Sequence, residues 1–126
     1  MNKKLLLTSI LLGALTVVAI AQQTFTVVSS GFQFVSATTT ITEGDTVLFN
    51  HSSGHVVREV SQTTWNANGN TSNGGFNNVM PGTKIKFDTP GTFYYVCSVH
   101  FASGMKGQII VNAASSIDEV KANLVL

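Results

Sequence analysis

Between residues 24 and 111 the chain is cut into short runs of β-branched and aromatic residues, each closed by a turn signal. Residues 24–29 and 32–36 flank Ser30-Gly31, and 38–42 lead into Glu43-Gly44. The runs 45–50, 55–60, 83–88, 92–97 and 106–111 follow, with Pro81-Gly82 and Pro90-Gly91 as further punctuation. Eight such segments predict an all-β domain, an antiparallel sandwich or barrel. Side chains alternate across a strand, so Phe93, Tyr95 and Cys97 share one face and Tyr94 and Val96 the other. The face with Cys97 is expected to be the core side, which keeps the sulfur dry.

One connection breaks this rhythm. Residues 61–80 contain six asparagines, three glycines, one Trp and one Phe, too long for a tight turn. Trp65 and Phe76 are expected to pin it to the body, although loops on rigid scaffolds also carry function.

The chain has one cysteine, so no intramolecular disulfide staples it. With 126 residues, 44% of them hydrophobic, it has enough for one modest core. A formal charge of +1 gives no electrostatic reason for a nucleic-acid partner. Lys3 and Lys4, an apolar run over 5–20 and Ala19-Ile20-Ala21 predict a signal peptide over residues 1–21. An uncleaved membrane anchor is the alternative, which the Ala-x-Ala ending disfavours; after cleavage no stable membrane span is expected. The mature chain would begin near Gln22 and be exported. A lone cysteine in an oxidising compartment is open to oxidation unless something occupies it. A metal would do so.

The cysteine sits in Cys97-x2-His100-x4-Met105, between the strand-like runs 92–97 and 106–111. A thiolate, an imidazole and a thioether on one connection are soft ligands that suit copper. A second imidazole must come from His51 or His55. His51 extends the 45–50 run on the face of Val47 and Phe49, before the turn. His55 follows Gly54, where the backbone is free to bend, and opens the next run at the sheet edge where that turn lies. Cys97 closes its own run, so the site belongs at one end of the domain, and His55 is the expected fourth ligand. His51 is expected to be a partly exposed neighbour bonded to Ser52 or Ser53.

Residues 23–112 resemble the plastocyanin and azurin family of blue copper proteins, the cupredoxins. The resemblance lies in Gly44-Asp45-Thr46-Val47-Leu48-Phe49, in the later His55, and in Phe93-Tyr94-Tyr95-Val96-Cys97 through His100 to Gly104-Met105. The ending Gly107-Gln108-Ile109-Ile110-Val111 also matches. Residues 49–57 are similar to the phytocyanin branch, whose disulfide this chain cannot form. The resemblance implies a Greek-key antiparallel β-sandwich of about eight strands over residues 22–112. It implies one type 1 copper ion held by His55, Cys97, His100 and a weak axial Met105. It implies a monomeric, non-enzymatic electron carrier with a redox partner protein. Two positions depart from the family: Val99 stands where Pro is frequent, and Val56 where many members have Asn.

A fixed His2Cys site with a long axial Met suits both Cu(II) and Cu(I). His100 is the expected exposed ligand and electron exit, with Phe101, Ala102 and Met105 forming a small apolar docking surface. A copper carrier or storage module would use the same ligands but hand over the ion. A copper oxidase or nitrite reductase needs more histidines than the single one left over, His51. A metal-free adhesion module with an inert cysteine is a further alternative. A zinc site is disfavoured because Met is a poor zinc ligand.

From Ala113 the composition changes. Residues 113–126 resemble the start of the C-terminal sorting domain of type IX secretion cargo, which would continue beyond Leu126. The alternative is a short docking helix, with Ile117, Val120 and Leu124 on one face. Cell-surface or secreted localisation follows from the first, periplasmic from the second.

Overall fold

The computed structural model describes residues 21–114. The expected signal peptide up to residue 20 and the tail from residue 115 lie outside the described residues. Eight strands form, β1 (Thr24–Ser30), β2 (Gln33–Val35), β3 (Thr38–Thr42), β4 (Thr46–Phe49), β5 (Val57–Val60), β6 (Thr83–Lys86), β7 (Gly91–Cys97) and β8 (Lys106–Asn112). They make two four-stranded sheets, ordered β2-β1-β4-β6 and β3-β8-β7-β5.

The sandwich is not wholly antiparallel, as the turn pattern alone had implied. β1 runs parallel to β4, and β3 parallel to β8, with all other pairs antiparallel. The cause is topological. β3 lies in the opposite sheet, so the chain leaves the first sheet after β2 and returns with β4 in the direction of β1. Parallel neighbours need such a crossover, whereas a short turn joins only antiparallel ones.

Alternation places the core as expected. Val27, Val47, Phe49, Tyr95, Cys97, Ile109 and Val111 are buried between the sheets, with Phe93 packed at their edge. Burying an aliphatic or aromatic side chain contributes about 1.5–3 kcal/mol, so this layer holds the domain together without a disulfide. Asp45 closes one end, its carboxylate accepting from Gln23 N (2.8 Å) and Thr42 N (2.9 Å). The other end, where β1, β4 and β7 finish and β5 and β8 begin, carries all three histidines and Cys97.

The long connection is ordered around its aromatics. Ser61 caps a single helical turn, α1 (Gln62–Asn66), by accepting from Thr64 N at 3.1 Å. Trp65 donates through Nε1 to Gly107 O (2.9 Å), stacks near Tyr94, and lies beneath Lys106 Nζ, 4.2 Å from its centroid. Phe76 packs against Phe49 and Phe87. The segment thereby lies against β7, whose Val96 is fully buried on the face away from Cys97.

Gly107 has a steric reason to be glycine. It pairs with Tyr95 across β7 and β8, and a Cβ there would run into the Tyr95 phenol ring and hydroxyl. The ring is wedged between Phe34 and Phe49, fully buried, and cannot retreat. Overpacking of this kind costs about 1–3 kcal/mol. Gly107→Ala should lower stability by that amount, read as a reduced denaturant midpoint at unchanged m-value.

Candidate metal centre

Three chain segments meet at the open end of the sandwich. Cys97 is the last residue of β7, paired with Val57 on one side, while its N–H reaches Met105 O at 2.9 Å on the other. His100 follows in a tight turn, its N–H donating to Cys97 O at 3.2 Å, and a 3-10 turn over Phe101–Ser103 returns the chain to β8. His55 arrives from the β4–β5 connection, where Gly54 adopts φ +91°. A left-handed backbone of that kind is one that glycine takes without a Cβ clash. His55 stands two residues ahead of β5 rather than within it.

The donor atoms converge. His55 Nδ1 lies 3.0 Å from His100 Nδ1. Cys97 Sγ is 3.6 Å from the first and 3.5 Å from the second. A point equidistant from all three lies about 2.0 Å from each, against about 2.0–2.3 Å for imidazole and thiolate bonds to a first-row ion. His55 and Cys97 are buried, and His100 is half-exposed. Burial holds the His55 pKa below its ordinary value, and the nearby His100 and His51 rings lower it further. Desolvation and like-charged neighbours both disfavour the imidazolium, which leaves a lone pair free for a cation. Met105, fully buried, is fixed beside Cys97 by the backbone bond between them. Two imidazoles, a thiolate and an adjacent thioether are the donor set of a trigonal copper site with a weak axial ligand.

The family of copper binding proteins described as plastocyanin/azurin matches residues 21–112. The chain belongs to this family. Its cofactor is copper, in a site of type 1 arrangement. Among solved structures, spinach plantacyanin is similar at 22% identity and TM-score 0.58, covering 71% of this chain and 99% of its own. Pseudoazurin from Methylobacterium extorquens AM1 is 19% identical with TM-score 0.51, covering 82% and 85%. Cucumber stellacyanin is 28% identical with TM-score 0.51, covering 60% and 73%. No curated protein matches the chain by sequence.

Around this cupredoxin centre, two expectations are corrected. Met105 is fully buried and forms no part of a docking surface; Ala102 is exposed and Phe101 half-buried. Its strand-edge position beside Cys97 turns it inward. His51 is not partly exposed. It is 3% accessible, with Nδ1 3.2 Å from Ser52 O and Nε2 3.2 Å from Val79 O. Continuing the inward face of Val47 and Phe49 carries it under the turn.

Two residues escaped the sequence reading. Phe32, in the β1–β2 turn, lies with its ring 4.5 Å from that of His100 and edge-on to His55. It is itself 59% exposed, so it covers the imidazole while facing water. Asn70 of the long connection donates to Ser98 O, directly after Cys97. Both contacts span far in sequence, and local pattern carries no signal for them.

The geometry separates the two candidate imidazoles. His55→Ala should abolish or strongly distort the visible absorption of the copper-loaded protein. His51→Ala should keep it while losing about 0.5–1.5 kcal/mol of stability, the worth of one net hydrogen bond, since Val79 O keeps its bond from Val57 N. The check is copper titration of both variants followed by absorption spectra and denaturant unfolding.

Proposed function

We propose that this chain is an exported one-electron carrier, with His55, Cys97, His100 and Met105 as the ligands of a single copper. The observation that carries this reading is the triangle of donor atoms, already drawn together at the sandwich end, with one histidine reaching the surface. Copper, when bound, supplies the one-electron step between Cu(I) and Cu(II).

The chain's own groups do the rest. Cys97 and His55, anchored by strands on either side, hold their donor atoms in place while the charge at the centre changes, so little reorganisation opposes transfer. Met105, held beside Cys97 by a backbone bond just ahead of β8, would supply a thioether as the weak fourth ligand. His100 is the ligand nearest solvent, and Phe32 limits water access to it. The electron is proposed to leave by this route, toward a redox partner that meets Phe32, Val99 and Ala102 rather than Met105.

A carrier rather than an enzyme is the reading that membership of the plastocyanin/azurin family supports. Of three histidines, only His51 lies outside the cluster, and both its ring nitrogens face backbone carbonyls. Export rests on the charged and apolar start of the sequence, and among the described residues no helix is long and apolar enough to cross a membrane. Periplasmic placement fits the domain alone, and cell-surface or secreted placement fits it if a sorting domain follows.

The alternative of copper delivery uses the same ligands and is separated by exchange. Copper-loaded protein should exchange electrons with its own reduced form rapidly, while a competing chelator removes the metal slowly. Fast metal loss with slow electron exchange would support delivery instead. Met105→Gln tests the axial assignment. A harder oxygen donor favours Cu(II), so the variant should keep its copper and colour but show a lower reduction potential on voltammetry. An unchanged potential would remove Met105 from the ligand set.

A further inference from the structure

We propose that Asn70, oriented by Arg58, is a positioning residue for the loop that joins Cys97 to His100. The inference rests on the copper reading of that loop and assigns a role to the long connection that no ligand assignment requires.

The loop is a four-residue turn, with Cys97 O accepting from His100 N and Ser98 and Val99 at its centre. A turn satisfies its outer groups but leaves its central peptide groups to find partners elsewhere. Ser98 finds one on each side. Its N–H donates to Val56 O at 2.7 Å, next to His55, and its carbonyl accepts from Asn70 Nδ2 at 3.0 Å. Val56 and Val99 have no polar side chain with which to hold the loop, so the second restraint comes from 28 residues away.

Asn70 is itself held. Arg58, on β5 opposite Val96, donates from Nη1 to Asn70 O (3.0 Å) and to Asn70 Oδ1 (3.2 Å). Its Nε donates to Asn77 Oδ1 at 2.8 Å, which aims the guanidinium. The amide is therefore used at both ends, as acceptor toward Arg58 and donor toward Ser98. Only a side chain with a donor and an acceptor at this reach serves both contacts. An aspartate would keep the Arg58 bond and set an oxygen against the Ser98 carbonyl.

Three variants separate positioning from general stability. Asn70→Asp should keep the Arg58 contact, and with it the place of the connection, but lose the restraint on Ser98. Asn70→Ala loses both side-chain contacts and keeps only the Arg58 bond to the carbonyl of residue 70. Trp65→Phe removes the hydrogen bond to Gly107 and loosens the connection away from the turn. In metal-free protein, hydrogen exchange of the Ser98 and His100 amides should quicken roughly five- to tenfold in both Asn70 variants, the effect of one net hydrogen bond. It should stay at the wild-type rate in Trp65→Phe even if its Tm falls. In copper-loaded protein, the Asn70 variants should stay coloured but release copper to a chelator several-fold faster, with a shifted reduction potential. Wild-type exchange, release and potential in both Asn70 variants would overturn the proposal, as would the same changes appearing in Trp65→Phe. A wild-type protein that takes up no copper would overturn the carrier reading instead, and the metal-free exchange comparison would still decide whether Asn70 holds the turn.

Discussion

The bond from Cys97 N to Met105 O ends the β7–β8 ladder and sets the size of everything beyond it. Between these two residues the chain has seven positions in which to leave one strand, present His100 and enter the next. A connection so short has few conformations, and the turn at 97–100 with the 3-10 turn at 101–103 takes up nearly all of it. Cys97 and Met105 are in turn fixed by the sandwich, whose central strands they end and precede. The backbone positions of Cys97, His100 and Met105 thus follow from strand packing and this short connection, whereas His55 must be delivered separately.

That delivery is where electrostatics and packing meet. Three lone-pair atoms within 3.0–3.6 Å of one another, two of them buried, are unfavourable company unless a proton or a cation sits among them. Burial and the neighbouring rings push His55 toward its neutral form, which keeps a ring lone pair available to a cation. A cation relieves it well, and the thiolate and thioether bias the choice toward copper over harder ions. Tyr95, Phe49 and Phe34 pack ring against ring in the core, and Cys97 is buried with them. Rigidity that serves electron transfer is therefore a by-product of ordinary core packing.

Much of this was legible from residue order. Strand positions followed from alternation and turn residues, because each strand has one buried face, and the closeness of Cys97 and His100 followed from their spacing. The choice of His55 over His51 turned on which side of Gly54 each lies. Other features depend on contacts between distant segments and left no local trace. The parallel pairs β1–β4 and β3–β8 arise from how the chain crosses between sheets. Met105 looked like a loop residue, yet pairing with Cys97 turns it inward. Phe32 and Asn70 reach the site from a hairpin and a long connection whose own sequences are those of any turn or polar loop. Gly107 was visible as part of a motif, but its reason, the Tyr95 ring opposite, appears only when the strands are paired.

On this structure the donor atoms stand ready before the metal arrives. Crystal structures of the metal-free and Cu(II)-loaded protein, with anomalous scattering recorded at the copper edge, decide whether they do. One copper peak per chain is expected among His55 Nδ1, Cys97 Sγ and His100 Nδ1, with these side chains nearly superposable in the two states. A peak elsewhere, a ligand contributed by His51, or a loop from Cys97 to His100 that refolds around the ion would contradict it.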